Sequence, residues 1–411
     1  MNRPRVIIIG AGHAGFQAAS SLRQLGFHGE LMLIAGEHGL PYQRPPLSKE
    51  LLNGETTSDK LAFRPLPYYA KHAIELVSGD PVLGIDREAS RVELSSGRSI
   101  SYSDLVIATG ARSRTLPTPG SELDGVVTLR TLEDAVIVNR RLDRGPRLVV
   151  IGGGFIGLEV AAAGRQRGLQ VTVLEALKRT LARIVSPTIS KHICNLHRAH
   201  GTEVRHGIDV RRLVTDGGRQ VAAVELANGE LIRADTVVVG IGAVPNTELA
   251  VAAGLECADG VVVDEYLRSA DPHIWAIGDC AAFPDRDGCR RRLESVQNAT
   301  DHGRAVAATI TGQPHAYDAT PWFWTCQHDC RLQIAGLTTG HDTAVVRGDP
   351  DSGSFSVFCF DGDRFLGAES VNRPRDHLAA RKLLDARVPL SPAQAGDESY
   401  DLKLSAEAAR T

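Results

Sequence analysis

A short, wholly apolar run, Val6-Ile7-Ile8-Ile9, leads straight into glycines, and the same event recurs in the middle of the chain. A run of this kind marks a strand covered on both faces. VIIIGAGHAGFQAASSLRQLGFHGELMLIAGE (6–37) reads strand, glycine turn, helix, strand, and LVVIGGGFIGLEVAAAGRQRGLQVTVLEA (148–176) reads the same way. Each copy later reaches another apolar strand ending in glycine, DLVIATG (104–110) and DTVVVGIG (235–242). The pattern predicts an α/β chain with two Rossmann-like dinucleotide-binding domains.

Between the copies, SRTLPTPGSELDG (113–125) has the composition of a connection. Beyond the second copy, SADPHIWAIGDCAAF (269–283) predicts a buried strand and turn, and SVQNATDHGRAVAATITG (295–312) a helix. From about Pro314 the pattern changes. Short aromatic runs (PWFWT, FSVFCF, RFLGAES) precede a polar helix near 375–386, which predicts a third, smaller α+β domain. The residues after Ser391 are expected to fray.

Composition narrows the class. The 411 residues carry 46 basic and 49 acidic side chains, a net charge of −3, so no global field favours nucleic acid. Seven scattered cysteines are not a disulfide framework and suit a reducing compartment. MNRPR followed by four apolar residues is too short for a secretory signal, and no run is long enough to span a bilayer. A soluble, cytoplasmic protein without membrane insertion is expected. The 41 glycines fit several tight turns.

Gly10, Gly12 and Gly15 form G-x-G-x-x-G between strand and helix. The first glycine permits the turn, the second lets the backbone approach a pyrophosphate, and the third allows close helix–strand packing. Gly152, Gly154 and Gly157 repeat the pattern, and Glu175 ends the next strand, where a carboxylate accepts from a ribose diol and repels a 2′-phosphate. NADH is thus favoured over NADPH, although Arg179 nearby offers a phosphate a partner. In the first copy Gly36 takes the equivalent spot, and Glu37 is the acid assigned.

PYQRPPLSK (41–49) is expected to run extended between its prolines and deliver Lys49, whose ammonium would stabilise a reduced flavin. Glu159 is expected in the first turn of the second glycine-turn helix, at the mouth of the nucleotide site. The plain alternative is a surface lysine and a helix-start glutamate. No C-x-x-C or C-x-x-x-x-C pair lies near Lys49, so a dithiol acceptor is not indicated. Cys326 and Cys330 read as ordinary thiols, and His197 and His200 as solvated helix residues rather than metal ligands.

GAGHAGFQAA, PYQRPPLSK, VIATGAR, LRTLEDA, VVIGGGFIGLEVAA, GIGAVPN, IWAIGDCA, ESVQNA and PWFW stand in order along nearly the whole chain. Together they resemble the FAD-dependent NADH:ferredoxin reductases of the pyridine nucleotide-disulfide oxidoreductase superfamily, which serve bacterial cytochrome P-450 systems. The resemblance implies a glutathione-reductase-like fold: an FAD domain over 1–112 and 245–313, an inserted NAD domain over 113–244, and a C-terminal α+β domain over 314–411. It implies tightly but non-covalently held FAD at Ala14, Lys49, Val82, Arg130, Asp279 and Val296. NADH is implied as co-substrate, held by the second glycine turn, Glu175 and Gly242. Lys49 and Glu159 resemble the family's charge pair beside the flavin, with Trp324 approaching the ring and Trp322 near the partner surface. Two positions depart from the pattern: Gly36 replaces a frequent Asp, and WFWTCQ replaces WFWSDQ, putting Cys326 where relatives carry an acid.

The activity so implied is hydride acceptance from NADH and single-electron delivery to an acidic 2Fe–2S ferredoxin feeding a cytochrome P-450. Arg64 and Arg304 fall at basic docking positions, whereas Arg290-Arg291-Arg292 reads as a solvated cluster. A monomer or weak dimer is expected. The same motifs are shared by reductases of dioxygenase or rubredoxin systems and by NADH-sensing flavoproteins resembling apoptosis-inducing factor.

Overall fold

The computed structural model describes residues 3–403. It divides into two compact units: one of residues up to Arg44 with Ser58–Arg112 and Ala243–Ala319, the other of Pro45–Thr57, Ser113–Gly242 and the chain from Thr320 onward.

The first unit is built on a five-stranded parallel sheet ordered Ile274–Ala276, Asp104–Ile107, Arg5–Ile9, Glu30–Ala35, Ile74–Ser78. Val6, Ile7 and Ile8 at its centre are fully buried, as an apolar run covered on both faces must be. Helix His13–Gln24 turns Ala14, Ala18 and Leu22 inward at four-residue spacing. Helix Val296–Ile310 packs across it at Gly303, where an added Cβ would stand 2.7 Å from the Ala14 carbonyl oxygen and 2.8 Å from the Ala18 nitrogen. Only glycine fits that crossing.

The second unit repeats the parallel architecture, in the order Glu203–His206, Gln170–Glu175, Arg147–Ile151, Thr236–Val239, Val126–Val127. It also holds an antiparallel five-stranded sheet ordered Trp322–Gln327, Cys330–Gly336, Arg364–Val371, Ser354–Asp361, Thr343–Asp349. Helix Pro374–Asp385, entered through proline at its first position, buries Ala379, Ala380 and Leu383 in one cluster with Phe358 and Phe360 of this sheet.

Three expectations need correction or limits. Pro45–Ser48 is a 3-10 turn rather than an extended segment, because proline fixes φ near −65°, a value both conformations share, and leaves ψ free. The chain after Ser391 is ordered as far as it is described: Ser391 and Gln394 form a capping box on Pro392–Gly396, and Leu402 is buried. The expectation of fraying otherwise falls on 404–411, outside the described residues. Among the described residues no helix is long and apolar enough to cross a membrane.

Candidate functional site

The two glycine turns are built alike, down to individual hydrogen bonds. Gly10 donates to Ile34 O and Gly152 to Leu174 O, each at 2.8 Å. Both take positive φ, 108° and 109°, and a Cβ would stand 2.1 Å from Ala108 O at Gly10 and 2.4 Å from Gly240 O at Gly152. At the third glycines a Cβ would meet the turn itself, Gly10 O at 1.8 Å from Gly15 and Gly152 O at 2.2 Å from Gly157. The middle glycines differ in kind. A Cβ on Gly12 meets nothing within 4 Å, and one on Gly154 meets only Gly240 O at 3.8 Å. The outer glycines are therefore required by packing, and the inner ones leave room for something outside the protein to approach the backbone.

Helix capping points the same way. Gly12 and Gly154 are the N-caps of helices His13–Gln24 and Phe155–Gln166, neither has a side-chain cap, and neither helix has an acid in its first turn. Helices Leu132–Leu142, Pro187–Ala199 and Val296–Ile310 are instead capped by Thr131, Ser186 and Ser295. Uncapped first-turn N–H groups behind an open glycine form a cradle for a phosphate group. Both turns fit a dinucleotide diphosphate.

In the second unit, Glu175 Oε2 accepts Gly153 N–H at 2.7 Å and Oε1 accepts Leu177 N–H at 2.8 Å, which holds the carboxylate against the turn. Arg179 gives its guanidinium to Val185 O at 2.7 Å and Ala182 O at 2.9 Å. Gly242, at φ 106°, follows the Gly240 strand end that abuts the turn. In the first unit, Glu37 accepts from Tyr42 Oη and Arg44 Nη2, both at 2.6 Å. A Cβ on Gly278 would stand 2.9 Å from Ala14 Cβ, so Ala14 lies beside the Gly278–Asp279 turn. That turn is held by His302, a fully buried imidazole whose Nδ1 accepts Gly278 N–H at 3.1 Å. Val82 is buried, and Val296 begins the Ser295-capped helix. Arg130 belongs to the second unit, where Asp134 accepts its backbone N–H at 2.9 Å. The structure thus groups Gly10, Gly12, Ala14, Gly15, Glu37, Val82, Asp279 and Val296 in one unit, and Lys49, Arg130, Glu159, Trp324 and the second turn with Glu175 and Gly242 in the other.

Lys49 and Glu159 meet directly. Lys49 Nζ lies 2.8 Å from Glu159 Oε2, with side-chain exposures of 14% and 2%. Glu159 also accepts from the Ser48 hydroxyl and, at 2.6 Å, from Thr325 Oγ1. Neither residue is the surface group of the plain alternative. Glu159 stands one turn deeper than expected, because the helix begins only at Phe155 and its first turn contains no acid. A buried ion pair with two further hydrogen bonds on its carboxylate is costly to build.

Trp324 and Trp322 are half-buried neighbours, ring centroids 5.4 Å apart, and Arg381 lies 4.7 Å over Trp322. Arg64 and Arg304 are exposed in the first unit; Arg304 pairs with Asp301 at 2.8 Å. Arg290, Arg291 and Arg292 are engaged by Glu256, Asp285, Asp259 and Glu294. All seven cysteines are free, and burial pushes the Cys330 thiol up to about 12. Among the described residues no group of three or more His, Cys, Asp or Glu is placed to hold a metal. His197 corrects the expectation of a solvated residue: it is fully buried, its ring bonded to Gln327. Ile189, Ile193 and His197 sit four apart on one helix, all fully buried, so the continuing apolar stripe was the signal. Ser48, Thr325 and His302 carried no such signal.

Residues 4–303 match the pyridine nucleotide-disulphide oxidoreductase family, and 322–406 match the reductase C-terminal family. The chain belongs to the pyridine nucleotide-disulphide oxidoreductase family. Membership implies FAD and a nicotinamide nucleotide, the two groups for which the turns have room. Rhodocoxin reductase of Rhodococcus erythropolis is 52% identical over 402 residues, covering 97% of this chain and 94% of that protein. The ferredoxin reductase of the CYP199A2 system from Rhodopseudomonas palustris superposes with a TM-score of 0.96 at 47% identity, covering 98% of this chain and 99% of the other. The reductase in the covalent putidaredoxin reductase–putidaredoxin complex has a TM-score of 0.96 at 39% identity over the whole of both chains. The homologues of this oxidoreductase are ferredoxin reductases.

Proposed function

We propose that the chain is an NADH-dependent ferredoxin reductase of a cytochrome P-450 system. The observation that carries the reading is the presence of two separately built, uncapped glycine turns with open middle glycines on one chain. One dinucleotide is held for keeps and the other comes and goes. Bound flavin supplies the conversion of a two-electron hydride into single electrons, and the protein supplies binding and electrostatics.

The first turn, with Ala14, Glu37, Val82, Asp279 and Val296, binds FAD in a domain of residues 1–112 and 245–313; Lys49 and Arg130 complete the set. The second turn, with Glu175 and Gly242, binds NADH within 113–244. Glu175 Oε2 is held on the Gly153 N–H of the turn and Oε1 on the Leu177 N–H, and Arg179 is spent on backbone carbonyls, which supports NADH over NADPH. Lys49 offsets the charge gained by the reduced ring, and Glu159 aims it. Trp324, in the 314–411 domain, would stand against the flavin ring, and Arg64 and Arg304 would receive an acidic 2Fe–2S ferredoxin. The protein works in the cytoplasm as a monomer or weak dimer.

The test is stopped-flow reduction of the FAD-loaded protein by NADH and by NADPH, followed by cytochrome c reduction through a panel of purified 2Fe–2S ferredoxins. Rapid NADH oxidation with at least one ferredoxin turned over supports the reading. A long-lived reduced complex that passes electrons to none of them overturns it.

A further inference from the structure

The Lys49–Glu159 pair is the end of a longer line of hydrogen bonds that runs through the second unit. Thr325 Oγ1 donates to Glu159 Oε1 at 2.6 Å, Gln327 Nε2 donates to Thr325 Oγ1 at 3.1 Å, and His197 Nε2 stands 2.9 Å from Gln327 Oε1. Thr325, Gln327 and His197 are 1%, 1% and 0% exposed.

The line has a direction. Gln327 gives its amide N–H to Thr325, so its amide oxygen faces His197 and must accept; His197 is then the tautomer carrying its proton on Nε2. Thr325, accepting a hydrogen bond from Gln327, turns its own hydroxyl proton toward Glu159. Each hydroxyl or amide that accepts at one side donates at the other, so every donor points toward the carboxylate. With Ser48 and Lys49 on its other oxygen, Glu159 is met by donors alone, which suits only the ionised form.

An amide cannot hand a proton on, so this is not a proton wire. It orients. Thr325 and Gln327 alternate along one strand (Trp322–Gln327), facing the same side at period two, and that side looks onto helix Phe155–Gln166 at Glu159 and helix Pro187–Ala199 at His197. Cys326 points the opposite way and is exposed. Behind His197 lie the imidazoles of His328, 5.0 Å away, and His200, which stacks on His328 at 3.8 Å. Lys49 is the charged group on Glu159, Lys49, Arg331, Glu159 and Glu50 act on Cys326 on the other side of the strand, and Asp329 and Arg165 act on His328.

We propose that Thr325, Gln327 and His197 are positioning residues that hold the Glu159 carboxylate ionised and fixed, and through it the Lys49 ammonium, while the reductase takes hydride from NADH. The proposal rests on the reading of Lys49 and Glu159 as the flavin-side pair. Losing the Thr325 donor removes one of the hydrogen bonds that fix the carboxylate.

The experiment compares Thr325→Val, Thr325→Ser and Gln327→Met in FAD-loaded protein. Thr325→Val is expected to slow single-turnover flavin reduction about ten-fold at saturating NADH without changing the NADH Kd, and to move the acid limb of its pH profile up by about one unit. Thr325→Ser, which restores the donor, returns both to within about two-fold of wild type, and Gln327→Met, one bond further out, gives a smaller shift of the same sign. Nitrogen-15 NMR of labelled histidines adds a readout independent of turnover: His197 protonated on Nε2 and not titrating between pH 5 and 8 (about the range where histidine ordinarily titrates). An unmoved pH limb in Thr325→Val, equal loss in Thr325→Val and Thr325→Ser, or a titrating His197 overturns the proposal. If instead Lys49→Met leaves flavin reduction at the wild-type rate while the NMR signature stands, the flavin-side reading fails and the line of hydrogen bonds remains.

Discussion

Glu369 braces the N-cap of the helix that begins after Ser186: its two oxygens accept Ser186 N–H at 2.9 and 3.0 Å, and Oε2 accepts the Ser186 hydroxyl at 2.6 Å. Thr338 adds a third donor at 2.6 Å, and all three residues are buried. Burial raises the Glu369 pKa while the Ser186 and Thr338 hydrogen bonds oppose it. The cap ties strand Arg364–Val371 to helix Pro187–Ala199. Glu369→Ala leaves these donors unpaired and is expected to cost about 2–3 kcal/mol, read as a fall of several degrees in the Tm of the FAD-loaded protein. An unchanged Tm would show that the cap is dispensable.

Lys49→Met strands the Glu159 carboxylate in the interior and is expected to destabilise the protein by about 3 kcal/mol or more. Lys49→Met combined with Glu159→Gln removes the stranded charge while keeping an acceptor for Ser48 and Thr325, and stability returns. Flavin reduction by NADH stays slowed, by about ten-fold or more, in both variants, because the cation is gone in both. Denaturant midpoints and stopped-flow rates on the two proteins separate the structural from the electrostatic role.

The glycines of one turn divide into two kinds of failure. Gly10→Ala meets Ala108 O and loses its positive φ, so the first unit is expected to misfold and the protein to appear in the insoluble fraction. Gly12→Ala has room for its methyl group in the bare protein, so it folds. Its methyl then stands where the diphosphate must approach, and FAD affinity falls by about a hundred-fold, measured by equilibrium dialysis. Equal FAD affinity in Gly12→Ala and wild type would remove that glycine from the cofactor site.

His302 gives the protein an acid limit. Burial lowers its pKa from 6.5 to about 3. Above 6.5 the imidazole is neutral in both folded and unfolded chains, and its contribution to stability is fully present. As pH falls below 6.5 the unfolded chain binds a proton that the folded one refuses, so stability drops by up to about 1.4 kcal/mol per pH unit toward pH 3. His328 and His377, each lowered to about 4 by burial, act in the same direction. His302→Gln is expected to be less stable at pH 7 and to lose less between pH 7 and 5 (roughly the span the unfolded imidazole titrates). Parallel urea-midpoint curves for the two proteins would contradict this.

Arg304 is exposed and, among the described residues, pairs locally with Asp301 one turn back. Arg304→Glu is expected to slow ferredoxin reduction about ten-fold, weaken its salt dependence, and leave NADH-to-ferricyanide turnover near normal. Equal loss of both activities would exclude a docking role.

Local rules made much of this molecule legible. Unbroken apolar runs before glycines gave both parallel sheets, and short aromatic runs gave the strands of the last one. What local rules missed depended on partners far along the chain. Pro45 and Pro46 fixed one dihedral angle and left the other to tertiary context, so an extended reading gave way to a 3-10 turn. Glu159 could be placed on its helix, but its meeting with Ser48 and Thr325 joins segments more than a hundred residues apart. His197 continued an apolar stripe and was still read as solvated, because histidine is polar enough to suit either face.

The crossing at Gly303 bears on the order in which the molecule is made. Helix His13–Gln24 emerges from the ribosome early, but the backbone that clamps it does not exist until Gly303 and the turn at Gly278 have been synthesised. Every residue of the second glycine turn, and of the parallel sheet around it, lies earlier in the chain than that clamp. The nascent chain can finish its later-written nucleotide module first, and its first-written one must wait for cofactor until Gly303 has been made.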